Sequence, residues 1–173
     1  MNIVLTGFMG TGKSAVGKLL AARLGWQFID TDEMIEKEVG MKIPEIFARR
    51  GEPAFRDAET EAVRLVSLLD KMVVSCGGGV VLRSENMDEL EKSGIVVCLT
   101  ASPETILART KNNTDRPLLK TKDPLAKIKE LLSARSGCYA RCHCAIDTST
   151  LSPAEVATAI LSHPAVSARL LIQ

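Results

Sequence analysis

Close to the start of the chain, Gly7-Phe8-Met9-Gly10-Thr11-Gly12-Lys13-Ser14 matches the G-x-x-x-x-G-K-[ST] pattern of a phosphate-binding loop. This octet constrains the fold most, because such a loop works only between a strand and a helix. Both neighbours are legible. Asn2-Ile3-Val4-Leu5-Thr6 is a short, largely apolar, β-branched run that predicts a buried strand. From Ser14 to Leu24, the residues Val16, Leu19, Leu20 and Leu24 recur at helical spacing. Glycine allows the tight bend that turns several backbone N–H groups into one concavity, and the following helix adds the positive end of its dipole. Gly10, Thr11, Gly12, Lys13, Ser14 and Ala15 are therefore expected to bind the phosphates of a nucleoside triphosphate. Lys13 would reach the β- and γ-phosphates, and the Ser14 hydroxyl would ligate Mg²⁺.

A length of 173 residues suits one domain with a substantial core. The charge is nearly balanced, 22 basic against 21 acidic residues for a net +1, which argues against nucleic acid or a membrane surface as partner. Basic residues must then be read one by one as site groups. Hydrophobic residues make up 46% of the chain and exclude disorder, and aromatics are only 3%, so the core is aliphatic. No apolar run approaches a membrane span, and the first strand begins too early to leave room for a signal peptide. The expectation is a cytoplasmic monomer. Five cysteines, an odd count, predict reduced thiols. Cys142-His143-Cys144 with Cys138 invites a metal reading, but it lacks the second distant pair of a structural zinc site.

A second strand, Gln27-Phe28-Ile29-Asp30, ends in Asp30-Thr31-Asp32, where ligands bind in open α/β sheets. The same aspartates, followed by Glu33 and Glu36, also suit a helix cap and an acidic first turn. Ile43 to Arg50 reads as a helix stopped by Gly51, and Pro53 opens a longer one to about Leu69. Arg56 and Glu59 sit three apart on that helix, as an exposed ion pair or as site residues. Met72 to Cys76 predicts a strand running into Gly77-Gly78-Gly79, a triplet that implies a close backbone approach. Ser84 is expected to cap a helix through Lys92, Ile95 to Leu99 to form a strand, and Ser102-Pro103 to open a helix through Thr110. Residues 111–122 are polar, basic and aperiodic, the composition of a lid or a solvated connector. Asp123-Pro124 caps a further helix bearing Arg135, Cys144 to Asp147 gives a weak strand, and Ser152-Pro153-Ala154-Glu155 begins a last helix through His163.

Alternating strands and helices predict a single α/β domain, a five-stranded parallel sheet with helices on both faces. This is the P-loop NTPase, nucleoside-monophosphate-kinase-like fold. Two insertions would decorate it, residues 31–62 for a second substrate and 111–122 as lid.

The phosphate loop, Asp30-Thr31-Asp32, the block Ile46-Phe47, Gly51-Glu52, Phe55-Arg56 and Glu59, the glycine triplet, Asp115-Arg116-Pro117-Leu118-Leu119, and Arg135 with Tyr139 occur in this order. Together they resemble the shikimate kinase family, whose members phosphorylate the 3-hydroxyl of shikimate with ATP. The resemblance implies that Asp32 holds the reacting hydroxyl and takes its proton, and that Asp30 organises one Mg²⁺ per subunit with Ser14. It implies that Arg56 and Arg135 grip the substrate carboxylate and that Gly78 offers a backbone N–H. Phe47, Phe55 and Glu59 would form the pocket wall, Arg116 would descend onto the transferred phosphate, and Arg109 would lie along the adenine. The chain departs from the family at Thr148-Ser149-Thr150, where a basic residue near position 150 is common.

The chemistry is coherent without the resemblance. Phosphoryl transfer needs positioning and charge neutralisation more than covalent help. Two arginines for one small acceptor suggest an anion, since a guanidinium fork matches a carboxylate. Gluconate or a nucleoside monophosphate would be the alternative acceptor. A GTPase-like switch would need an N-K-x-D stretch, which Asn113-Thr114-Asp115 does not supply.

Overall fold

A computed structural model of the chain describes residues 1–111 and 121–171. Five strands form one sheet: β1 (Asn2–Thr6), β2 (Gln27–Asp30), β3 (Met72–Ser75), β4 (Gly94–Thr100) and β5 (Cys144–Asp147). Their order is β2-β3-β1-β4-β5, and each neighbouring pair is parallel. The helices are α1 (Lys13–Leu24), α2 (Thr31–Val39), α3 (Ile43–Ser67), α4 (Ser84–Ser93), α5 (Pro103–Thr110), α6 (Pro124–Tyr139), α7 (Pro153–Ser162) and α8 (Pro164–Leu170).

Strand residues alternate between two apolar layers, as a period of two requires. Val4, Val74 and Val96 pack with Val63, Val66, Met87, Leu90 and Ile128, under α3, α4 and α6. Ile3, Leu5, Val73, Ile95 and Val97 face the other way, against Val16, Leu20, Val156 and Ile160 of α1 and α7. Both faces are thereby covered, so the strands read as continuous apolar runs. A third small core of Ile35, Ile46, Phe55 and Ala62 joins α2 to α3 and gives the 31–62 insertion its own packing.

Several local expectations take their predicted form. Gly51 (φ 79, ψ 169) breaks α3 into two helical segments, with Pro53 just beyond the break. Ser102 and Asp123 accept hydrogen bonds from the N–H groups of Thr105 and Ala126, and Ser152 with Glu155 makes a full capping box. Asp30 settles the open reading of the acidic run by capping α2, accepting from the Asp32 N–H at 3.0 Å.

Two boundaries differ. Ser84 does not cap α4: Arg83 takes the N-cap position without a side-chain bond, while the Ser84 carbonyl accepts from Arg141 at 3.1 Å. The chain does not end its helices at His163, because that residue closes α7 and opens α8, its Nδ1 accepting from the Ala165 N–H at 3.2 Å. The Cys142-His143-Cys144 stretch is built into the sheet: His143 donates its N–H to the Val96 carbonyl at 2.8 Å, and its Nδ1 accepts from the Val96 N–H at 3.0 Å. Most of the expected lid, residues 112–120 with Arg116, lies outside the described residues. No helix among them is long and apolar enough to cross a membrane.

Asn2 fastens the first strand to the end of α3. Its buried amide donates to the Val66 and Leu69 carbonyls at 3.3 and 2.9 Å and accepts from the Met72 N–H at 3.0 Å. Asn2→Ala leaves those groups to find other partners in a dry layer, an expected loss of about 1–3 kcal/mol of stability measured by urea unfolding.

Candidate active site

Parallel pairing sets Leu5 opposite Ser75 and Asp30 opposite Ser75, so β1, β2 and β3 end at the same level. The phosphate loop, the Asp30-Thr31-Asp32 turn and the glycine triplet therefore converge at the carboxyl edge of the sheet. Gly7, Gly10 and Gly12 adopt φ of 131, 78 and 94°, which side chains rarely tolerate. A Cβ on Gly7 would also stand 2.2 Å from the Leu99 carbonyl oxygen. Gly12 is the N-cap of α1, so the first N–H groups of that helix open toward the loop.

Within the loop, the Lys13 ammonium donates to the Gly7 and Phe8 carbonyls at 2.8 and 2.9 Å, and the Thr11 hydroxyl donates to Phe8 at 2.8 Å. The Ser14 hydroxyl donates to Asp30 Oδ2 at 2.7 Å and lies 3.4 Å from the Ser75 hydroxyl. These oxygens form a hard donor set of the kind Mg²⁺ takes. A cavity of about 190 Å³ lies over the loop, with Lys13, Ser14, Ala15 and Asp30 in its wall.

Beside it lies a larger cavity of about 580 Å³. Ser14, Asp30, Asp32, Met9 and Gly78 border both, so the two cavities adjoin. Asp32, Phe47, Phe55, Arg56, Glu59, Gly78 and Arg135, each named from sequence, all line the larger cavity. The Phe47 and Phe55 ring centroids lie 4.9 Å apart with the planes tilted by 40°, and the Arg56 guanidinium lies 5.2 Å from the Phe55 ring. Arg135 lies 6.0 Å from the Phe8 ring and 3.4 Å from the Gly78 carbonyl.

Arg56 and Glu59 are not an exposed pair. Arg56 Nη1 donates to Glu59 Oε2 at 2.8 Å, with side chains 11% and 1% exposed. Burial pushes the Glu59 carboxyl up, with the Asp32 charge adding to it and Arg56 opposing both. Glu59 Oε1 is buried with no hydrogen-bond partner among the described residues. Glycine is required here for room: a Cβ on Gly77 would come 2.5 Å from Asp32 Oδ1 and 2.9 Å from Glu59 Oε1.

Some contacts of the site escaped the sequence reading. Glu52 accepts from Arg56 Nε and Nη2 at 3.1 and 2.9 Å, a pairing that its position four residues earlier on the helix signals. Glu36 accepts from the Lys42 ammonium at 2.7 Å and the Ile43 N–H at 2.9 Å, tying α2 to the start of α3; no sequence pattern points to it. Arg109, expected along the adenine, donates to the Gly10 carbonyl at 3.3 Å and to the Thr148 hydroxyl and carbonyl at 2.9 and 2.6 Å. It thus joins the phosphate loop to the turn after β5.

The Arg56 guanidinium rests directly on Gly79, where a Cβ would meet Nη1 at 2.1 Å. Gly79 has an ordinary φ of −102°, so alanine strains no backbone and acts only by displacing Arg56. Gly79→Ala is expected to weaken a carboxylate ligand of the larger cavity by about tenfold or more, ~1.4 kcal/mol, with nucleotide affinity unchanged in calorimetry.

Comparison with known proteins agrees with this geometry. The family model described as shikimate kinase matches residues 9–164. A shikimate kinase of Thermodesulfovibrio yellowstonii is 51% identical over 92% of this chain and 92% of its own length. One from Geobacter metallireducens is 48% identical over 94% of this chain and 90% of its own. The structure of shikimate kinase from Acinetobacter baumannii in complex with shikimate superposes with a TM-score of 0.89, at 38% identity over 92% of this chain and 90% of that one. On this evidence of sequence and structure together, the chain belongs to the shikimate kinase family.

Proposed function

We propose that the chain transfers the γ-phosphoryl group of ATP to the 3-hydroxyl of shikimate, giving shikimate 3-phosphate and ADP. One observation carries the reading: a phosphate-loop pocket adjoins a cavity lined by two arginines, Arg56 and Arg135, and Asp32 borders both. The nucleotide phosphates fit the smaller part, held by the loop N–H groups and by Lys13, with Ala15 on the first turn of α1 and Arg109 at the adenine end. Shikimate fits the larger part. Its carboxylate lies against Arg56 and Arg135, the Gly78 N–H donates to it, and the ring packs on Phe47 and Phe55. Burial strengthens these charge-assisted bonds because water does not compete for them.

Asp32, at the seam of the two pockets, orients the 3-hydroxyl and accepts its proton as the oxygen attacks. Lys13 carries positive charge to the γ-phosphate, where negative charge grows during transfer. Ser14 and Asp30 would hold one Mg²⁺, which when bound neutralises phosphate charge. Arg116, outside the described residues, is assigned to the same phosphate as part of the 111–122 lid. Glu59 keeps Arg56 in place, an arrangement in which the buried carboxylate positions the cation that binds the acceptor. The chain is read as a cytoplasmic monomer whose partners are its two substrates, and its net charge of +1 supports the absence of a nucleic-acid partner.

A coupled ADP-release assay over a panel of acceptors tests the substrate, with shikimate expected to be preferred over gluconate and nucleoside monophosphates. Asp32→Asn keeps the shape but cannot take a proton, so kcat should fall by ~10²–10⁴-fold with ATP affinity little changed. Wild-type kcat in that variant would remove Asp32 from the chemistry. Replacing the substrate carboxylate with a neutral amide should cost the wild type most of its kcat/KM. Truncating Arg56 or Arg135 should cost roughly 2–5 kcal/mol of shikimate binding and erase much of the preference for the acid. A preference that survives loss of both arginines would make them structural.

A further inference from the structure

Several polar groups of the glycine turn are tied down within the fold. The Cys76 N–H donates to the Leu5 carbonyl at 3.0 Å and the Gly77 N–H to the Thr31 hydroxyl at 3.1 Å. The Gly77 and Gly79 carbonyls accept from Val80 and Leu82 at 3.2 and 3.0 Å. The Gly78 carbonyl is held differently. Its close donor among the described residues is the Tyr139 hydroxyl, at 2.6 Å, with Arg135 Nη1 farther off at 3.4 Å.

Tyr139 is the chain's single tyrosine, is 8% exposed, and lies one helical turn beyond Arg135 on α6. Burial pushes its phenol up to about 12, so it remains a proton donor across the working range of pH. A glycine run has no side chains to fix its peptide planes. In a planar peptide, however, fixing the carbonyl fixes the whole unit. The Gly78 carbonyl belongs to the peptide joining Gly78 to Gly79, and Gly79 is the surface on which Arg56 rests.

We propose that Tyr139 is a positioning residue for the acceptor site: by holding the Gly78 carbonyl, its hydroxyl fixes the peptide against which both Arg56 and Arg135 are seated. Arg135 touches that carbonyl itself, and Arg56 stacks on the adjoining Cα. The two arginines reach the pocket from separate helices, α3 and α6, and this peptide is the part they share. The inference rests on the reading that both arginines hold an acceptor carboxylate.

Tyr139→Phe keeps the ring in the core and deletes the hydroxyl. The expected result is an increase of about tenfold in KM for shikimate, the size of one lost hydrogen bond, with KM for ATP unchanged and kcat within about twofold. Preference for the acid over its amide should narrow in parallel. If the folded variant keeps the wild-type KM for shikimate while wild type prefers the acid, the role of Tyr139 is overturned and the arginine reading stands. If wild type shows no preference for the acid, the arginine reading fails and takes this inference with it. A second measurement needs no variant. Because the chain has one tyrosine, 3-fluorotyrosine labels position 139 alone, and its ¹⁹F resonance should shift on titration with shikimate but not with a non-hydrolysable ATP analogue. A resonance unmoved at saturating shikimate overturns the proposal even where Tyr139→Phe does not fold.

Discussion

The site depends on the register between β1 and β3. Ile3, Val4 and Leu5 pair in parallel with Val73, Val74 and Ser75, and the Cys76 N–H extends the ladder to the Leu5 carbonyl. That register puts the phosphate loop and the glycine triplet side by side at one edge of the sheet. A slip of one residue would turn every strand side chain to the opposite face. Burial of Val4 and Val74 in one layer and of Ile3, Leu5 and Val73 in the other makes such a slip prohibitive. The catalytic geometry is therefore fixed by apolar packing on residues that take no part in the chemistry.

On this frame the larger cavity is an electrostatic balance around a buried ion pair. Arg56 is shared between the buried Glu59 and the half-exposed Glu52. Asp32 stands near Glu59 across the Gly77 backbone, close enough for its charge to oppose Glu59 ionisation. Carboxylates gathered this closely need cations, and Arg135 on α6 supplies the second one. An anionic acceptor bound between Arg56 and Arg135, as proposed, would meet donors already oriented by their own partners, which lowers the entropy lost on binding. Glycine makes the crowding possible, since at Gly77 and Gly79 the space of a Cβ is occupied by carboxylate or guanidinium atoms.

The two helices that bring the arginines have separate supports. α3 leans on α2 through its own small core and through Glu36, which accepts from Ile43 and Lys42 at the start of α3. α6 packs on the main core through Ile128 and Tyr139. The glycine turn meets both, with Gly79 against Arg56 of α3 and the Gly78 carbonyl beside Arg135 of α6.

Much of this was legible from local signals. The octet between an apolar strand and a periodic helix, the Asp30-Thr31-Asp32 turn and the caps at Ser102, Asp123 and Ser152 each follow from interactions within a few residues, which sequence order alone dictates. The pocket residues from Phe47 to Arg135 were named by resemblance, and the structure brings the described ones to one cavity. What the sequence left open depended on distant neighbours. Whether Arg56 and Glu59 were a solvated pair or a buried one turned on what covers α3, and that is the glycine turn, whose Gly79 lies directly against the guanidinium. Asp30 had to be seen beside both the Ser14 hydroxyl and the Asp32 N–H to be recognised as a cap and a site residue at once. Tyr139 gave no local sign of its partner, because the carbonyl it holds lies 61 residues earlier in the chain. Sequence determined the elements and the phosphate site, since those rest on short-range geometry. Tertiary structure decided which charges are dry and which peptide each side chain holds, since both depend on segments that only folding brings together.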